Sequence, residues 1–99
     1  MRTVVFSKKS KEQLDELMAY LEAKFSKESK VKFVLKLDNV IKIIQIDPET
    51  FMQSSVNLKI RKCVVSKQIT LYYRFTESEI RLLALFDTRQ NPEHIKAIK

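Results

Sequence analysis

Glycine is absent from these 99 residues, which hold one cysteine, one histidine and two prolines. Each shortage closes off a class of chemistry. The Walker-type phosphate loop and the dinucleotide fingerprint both need glycine so that the backbone can close on a phosphate, and a nucleotide-cofactor enzyme is not expected. One cysteine and one histidine cannot make an intrachain disulfide or a tetrahedral Cys/His zinc site, so neither cofactor nor metal is expected. No apolar run is long enough to cross a bilayer or to act as a signal sequence, which predicts a soluble, cytoplasmic protein with no membrane partner. With 44% hydrophobic residues, the length suits one domain over residues 1–99, with a modest core and a shallow working surface.

What the chain has in excess is positive charge. The formal net charge is +7, and it is unevenly placed. Residues 1–49 carry ten Lys/Arg against eight Asp/Glu, a net +2, whereas residues 50–99 carry nine against four, a net +5. No acid lies between Glu49 and Glu77, a stretch that holds Lys59, Arg61, Lys62, Lys67 and Arg74. That field suits phosphate or an acidic partner segment; the plainer reading is a solubilising surface.

The hydrophobic period changes along the chain. "RTVVF" at Arg2 to Phe6 is short and β-branched and reads as a strand. Ser7 offers an N-cap, and Ser10 with Gln13 fits a capping box, so a helix starts at one of these two serines. Leu14, Leu17, Met18, Leu21 and Phe25 then line one helical face. Ser26 caps a second helix, in which Phe33, Val34, Leu37, Val40, Ile41 and Ile44 repeat the spacing until Asp47-Pro48 stops it. Helices joined so tightly form an antiparallel hairpin. From Ile60 the period drops to two. "IRKCVV", "ITLYYRF" and "EIRLLALF" are separated only by "SKQ" and "TESE", links short enough to demand an antiparallel meander. Leu82 to Phe86 is apolar on both faces, as in a central strand, one that the N-terminal strand can flank. Ile95 and Ile98 in "RQNPEHIKAIK" predict a short terminal helix.

The order strand, helix, helix, three strands and tail, with "IRKCVVSKQITLYYRFTESEIRLLALFDTRQNP", resembles the RelE/ParE family of bacterial type II toxins. In that family a basic residue opens the first meander strand, a tyrosine-arginine pair sits in the next, and the last strand ends in arginine. The resemblance spans nearly the whole chain and implies an α+β fold: an N-terminal strand and a helical hairpin on a twisted antiparallel sheet (β-α-α-β-β-β), with a short C-terminal helix. It also implies a growth-inhibiting toxin of a toxin-antitoxin, or plasmid-stabilisation, system, in a hetero-oligomer with a cognate acidic antitoxin. Two branches of the family bear on the target. The RelE-like branch cleaves ribosome-bound mRNA through converging cations and a tail tyrosine or histidine. Arg61 and Arg89 match basic positions of that branch, but Cys63 and Thr70 stand where it has a second lysine and a sheet arginine. The ParE-like branch poisons DNA gyrase and keeps the arginine corresponding to Arg61, and "IRKCVVSKQITLYYRF" is closer to it. A non-toxic or decayed binding module of the same fold is a third reading.

The candidate target-binding residues are Lys59, Arg61, Lys62, Tyr72, Arg74 and Arg89, of which the meander can gather Arg61, Arg74 and Arg89 into one patch; the candidates for catalysis are Arg61, Arg89 and His94. Each has a plainer alternative. Arg89 can anchor Asp87, and Arg74 can serve as a cross-strand partner of Glu79. Cys63 shares a strand face with Arg61 and Val65 and packs as a small hydrophobe unless a base such as His94 lies beside it. Tyr72 and Tyr73 point to opposite faces, so at most one can stack on a base. His94, in a polar tail, is an exposed histidine unless it takes the tail acid/base role.

Overall fold

A computed structural model describes residues 1–55 and 57–89. The elements run β1 (Thr3–Phe6), α1 (Lys8–Lys24), α2 (Lys27–Ile46), β2 (Arg61–Val64), β3 (Ile69–Phe75) and β4 (Glu79–Asp87). The terminal helix expected around Ile95 and Ile98 lies outside the described residues, as does His94.

Of the two candidate starts for α1, Ser7 is the cap. Its backbone is extended and its hydroxyl accepts the Ser10 N–H at 3.0 Å. Ser10 is buried one turn in, donating its own hydroxyl to the Ser7 carbonyl at 2.9 Å. Gln13 does not close a capping box; its Oε1 accepts the backbone N–H of Leu85 on β4 at 2.9 Å. Ser26 caps α2 in the same way as Ser7 caps α1, accepting the Ser29 N–H at 3.0 Å. The helix then runs to Ile46, where Asp47 leaves helical geometry ahead of Pro48. A 3.0 Å ion pair between Lys30 and Glu22 links the two helices.

The helices bury Leu17, Leu21, Phe33, Leu37 and Ile44 against Cys63, Ile69, Leu71, Tyr73, Ile80, Leu82 and Leu85 of the sheet. Phe25, expected on the buried face of α1, sits at its C-cap and is half exposed. The strand order is β1-β4-β3-β2, with β2, β3 and β4 antiparallel as their short links require. β1 joins β4 in parallel, from Thr3 opposite Glu79 to Phe6 opposite Leu82, so the sheet is mixed. Only the long passage through both helices makes that parallel pairing possible.

Between Tyr72 and Tyr73 the register slips, so that they face Ala84 and Leu82 and leave Leu83 extra in β4. β1 has ended by this point. Its place on the outer edge of β4 is taken by α1 and its cap: the Ser7 hydroxyl donates to the Leu83 carbonyl at 3.1 Å, and Gln13 receives the Leu85 N–H. The outer edge of β2 is covered too, because Lys62 N–H donates to the Met52 carbonyl and Ser54 N–H to the Ile60 carbonyl. Among the described residues no helix is long and apolar enough to cross a membrane.

Candidate functional site

The turn from β3 to β4 sets what one end of the sheet displays. Its register places Arg74 directly opposite Arg81, two like charges on the face away from the helices. Lys59 and Arg61 approach from just before β2 and from its first residue. The four cations, with Glu79 the one acid among them, line an open cleft of about 550 Å³. Arg61 is pinned there: it donates to the Phe51 carbonyl at 2.7 Å and lies 5.7 Å from the centre of the Phe75 ring. Arg2 comes within 5.5 Å of the same ring and donates to the Thr76 carbonyl at 2.7 Å. Arg81 is paired with Glu79 at 3.0 Å. Among the described residues, the side chains of Arg74 and Lys59 have no hydrogen-bond or ion-pair partner.

Arg89 is elsewhere. It follows the far end of β4, eight residues beyond Arg81, or about 26 Å along an extended strand. The single patch expected to hold Arg61, Arg74 and Arg89 is therefore not formed: the length of β4 lies between its members. Arg89 instead forks onto Asp87, with Nε and Nη2 reaching the two carboxylate oxygens at 3.0 and 2.6 Å, while the Asp87 side chain is fully buried. The Arg89 backbone N–H adds a bond to the same carboxylate at 2.8 Å. The guanidinium also lies over the Phe25 ring, 4.9 Å from its centre. Donating its side-chain hydrogen bonds to Asp87 holds Arg89 still more firmly protonated than a free arginine. The plainer reading of this residue, an anchor for Asp87, describes what the structure contains.

The remaining candidates divide by burial. Cys63 is 1% exposed, and burial pushes its thiol up to about 11, which keeps it protonated and unreactive at neutral pH. Tyr73 is fully buried, donates its hydroxyl to the Pro48 carbonyl at 2.7 Å and is pushed up to about 12, chiefly by burial. Tyr72 faces the other way, as its place in the strand requires, yet it too is buried, edge-on to Phe86 at 5.9 Å and beside Ala84. Burial raises its pKa as well, and its ring offers no stacking surface here. Lys62 lies opposite Tyr72 and does not line the cleft.

Glu79, the expected partner of Arg74, pairs with Arg81, which is not among the expected site residues. The signal for Arg81 was there: in "EIRLLALF" it alternates against Ile80 and Leu82, and a four-residue turn sets it across from Arg74.

The sequence matches no protein-family model and no curated protein. Solved structures, however, share its fold. A chain of the chromosomal ParDE toxin-antitoxin system from P. aeruginosa superposes with a TM-score of 0.71 at 17% identity, covering 88% of this chain and 96% of that one. The YoeB/ParE toxin from Agrobacterium tumefaciens gives a TM-score of 0.64 at 11% identity, over 88% of this chain and 98% of that one. A chain of the E. coli DinJ-YafQ complex gives 0.61 at 13% identity, over 92% and 98%. A helical hairpin packed on this four-stranded mixed sheet is the fold of the RelE/ParE-type toxins.

Proposed function

We propose that this protein is the toxin of a type II toxin-antitoxin pair, held inactive by a cognate acidic antitoxin, and that it acts in the ParE manner on DNA gyrase without cutting a phosphodiester. The observation that carries the toxin reading is the match to a chain of a ParDE system over 88% of this chain and 96% of that one. The excess of cations in residues 50–99 supports an acidic partner, which would dock by charge complementarity.

The branch rests on proton transfer. Cleavage by a 2′-hydroxyl needs converging cations together with a group that gives or takes protons near pH 7. Among the described candidates, Cys63 and Tyr73 are both buried with raised pKa values, Tyr72 is buried, and Arg89 is tied to Asp87; His94 lies outside the described residues. One observation favours the mRNA-cleaving alternative: four cations do converge on one cleft, although around Arg74 and Arg81 rather than Arg89.

Expression of the chain alone and together with its neighbouring gene, with gyrase supercoiling and ribosome-dependent mRNA cleavage assayed in parallel, tests the proposal. Growth arrest relieved by the neighbour, with supercoiling inhibited and mRNA intact, is the expected outcome. Site-specific mRNA cuts that His94→Ala removes would move the protein to the nuclease branch.

A further inference from the structure

We infer that the cleft between the β3–β4 turn and Gln53, Leu58 and Lys59 is a binding site for the phosphate groups of a small free nucleotide. Four cations against one carboxylate leave a local charge of +3, concentrated in a cleft of about 550 Å³. That volume is in the range that takes one small ligand, roughly 300 to 1,000 Å³. A single carboxylate leaves most of this charge unmatched. A phosphate monoester carries about −1.5 to −2 at pH 7, and a second phosphate adds to it.

The arrangement is also unfavourable without a ligand. Arg74 and Arg81 are cross-strand neighbours, where like charges destabilise a sheet, and Glu79 satisfies Arg81 only. An anion between the two forks would convert that repulsion into two charge-assisted contacts. Arg74 and Lys59 have no described side-chain partner to give up.

A chain without glycine has no glycine-rich loop to cradle phosphate, and here side chains stand in for that cradle. The cleft has an apolar margin as well. Leu58 is 67% exposed beside the cations, and the Phe75 ring forms part of the wall, which suits the base or sugar of a nucleotide.

The site is independent of the toxin reading, because it is measured by direct binding to the purified protein. Calorimetric titrations would use ADP, adenosine, a single-stranded RNA octamer and a tetraglutamate peptide. ADP should bind, and adenosine should not. Arg74→Glu should weaken ADP binding by about tenfold or more, the loss expected for a charge-assisted contact. Lys67→Glu, the same charge change in the β2–β3 turn, should alter it by less than about twofold, since exposed charges beyond a Debye length are screened. If Arg74→Glu does not fold, Arg74→Gln is read in the same titration. Three results would overturn the inference: no ADP binding, tetraglutamate binding as tightly as ADP, or equal losses in Arg74→Glu and Lys67→Glu. RNA binding that ADP does not compete would also overturn it, showing a strand surface in place of a small-ligand site.

Discussion

At one end of the sheet an arginine is spent on the fold; at the other, two arginines face each other and a single carboxylate pairs with only one of them. Arg89 gives its fork to the buried Asp87 and its flat face to Phe25. Arg74 and Arg81 sit side by side on the open face, and Arg74 has no described partner. All three are basic residues in or just after β-strands, and in the sequence they look alike. What separates them is whether a carboxylate has been withdrawn from water nearby. A buried carboxylate requires a partner, whereas an unmatched pair of cations leaves its charge available to something outside the chain.

The largest effect should come from breaking the closed end. Arg89→Ala strands the Asp87 carboxylate. Removing one partner of a buried pair costs about 3 to 5 kcal/mol, and because a third of the Arg89 side chain is exposed the loss here should be nearer about 2 to 3. A thermal melt should then fall by roughly 10 to 20 °C. Adding Asp87→Asn should restore part of that by neutralising the stranded group. An Arg89→Ala protein that melts with the parent would show that the buried pair does not hold this end together.

Gln13→Ala tests the same end from the helix. It leaves the Leu85 N–H without its acceptor and should cost about 1 to 3 kcal/mol in a denaturant titration. An unchanged midpoint would mean that water replaces the amide.

The core between the two ends should answer to alkali. Cys63 is raised from 9.0 to about 11 and Tyr73 from 10.0 to about 12. Above pH 9 the unfolded thiol loses its proton while the folded one keeps it, so the folded state binds more protons and stability falls as pH rises. Tyr73 extends the fall from pH 10 upward. Cys63→Val should flatten the section between pH 9 and 11 in urea midpoints taken across that range. A parent protein whose midpoint holds level there would contradict the burial of both groups.

The smallest stability effect belongs to the open end. Arg74→Ala should change stability by less than about 0.5 kcal/mol, with a slight gain because it relieves the repulsion from Arg81. A clear loss would mean that Arg74 is structural and would erase the contrast between the two ends.

Much of the fold could be read locally. "ITLYYRF" alternates cleanly, and its span coincides with β3; "EIRLLALF" falls one residue short of β4. Ser26 and Asp47-Pro48 bracket α2 because caps and proline act on their own neighbours. Residues whose partners are distant were harder to read. Gln13 fitted a capping box by spacing, and only the early end of β1 shows that its amide is needed seventy-two positions away on β4. The site was half legible for the same reason. Charge density pointed to Lys59, Arg61 and Arg74, but Arg81 joins them through hairpin register. Arg89 left the group because Asp87, two residues before it, is buried in the finished fold. A sequence lists charges without saying which carboxylates the core will enclose.

The union of β1 with β4 also bears on how the chain is made. Thr3 to Phe6 are synthesised well before their strand partners, Glu79 to Leu82, which follow 76 positions later. The Ser7 bond to Leu83 spans 76 positions. Until β4 has been synthesised the N-terminal strand has no neighbour in the sheet, and α1 has no β4 carbonyl or N–H to receive Ser7 and Gln13. Closure of so long a loop comes late and slowly in folding. The helical hairpin can form while the chain is growing, but the four-stranded sheet, and with it the arginine arrangement at each end, waits until β4 has been made.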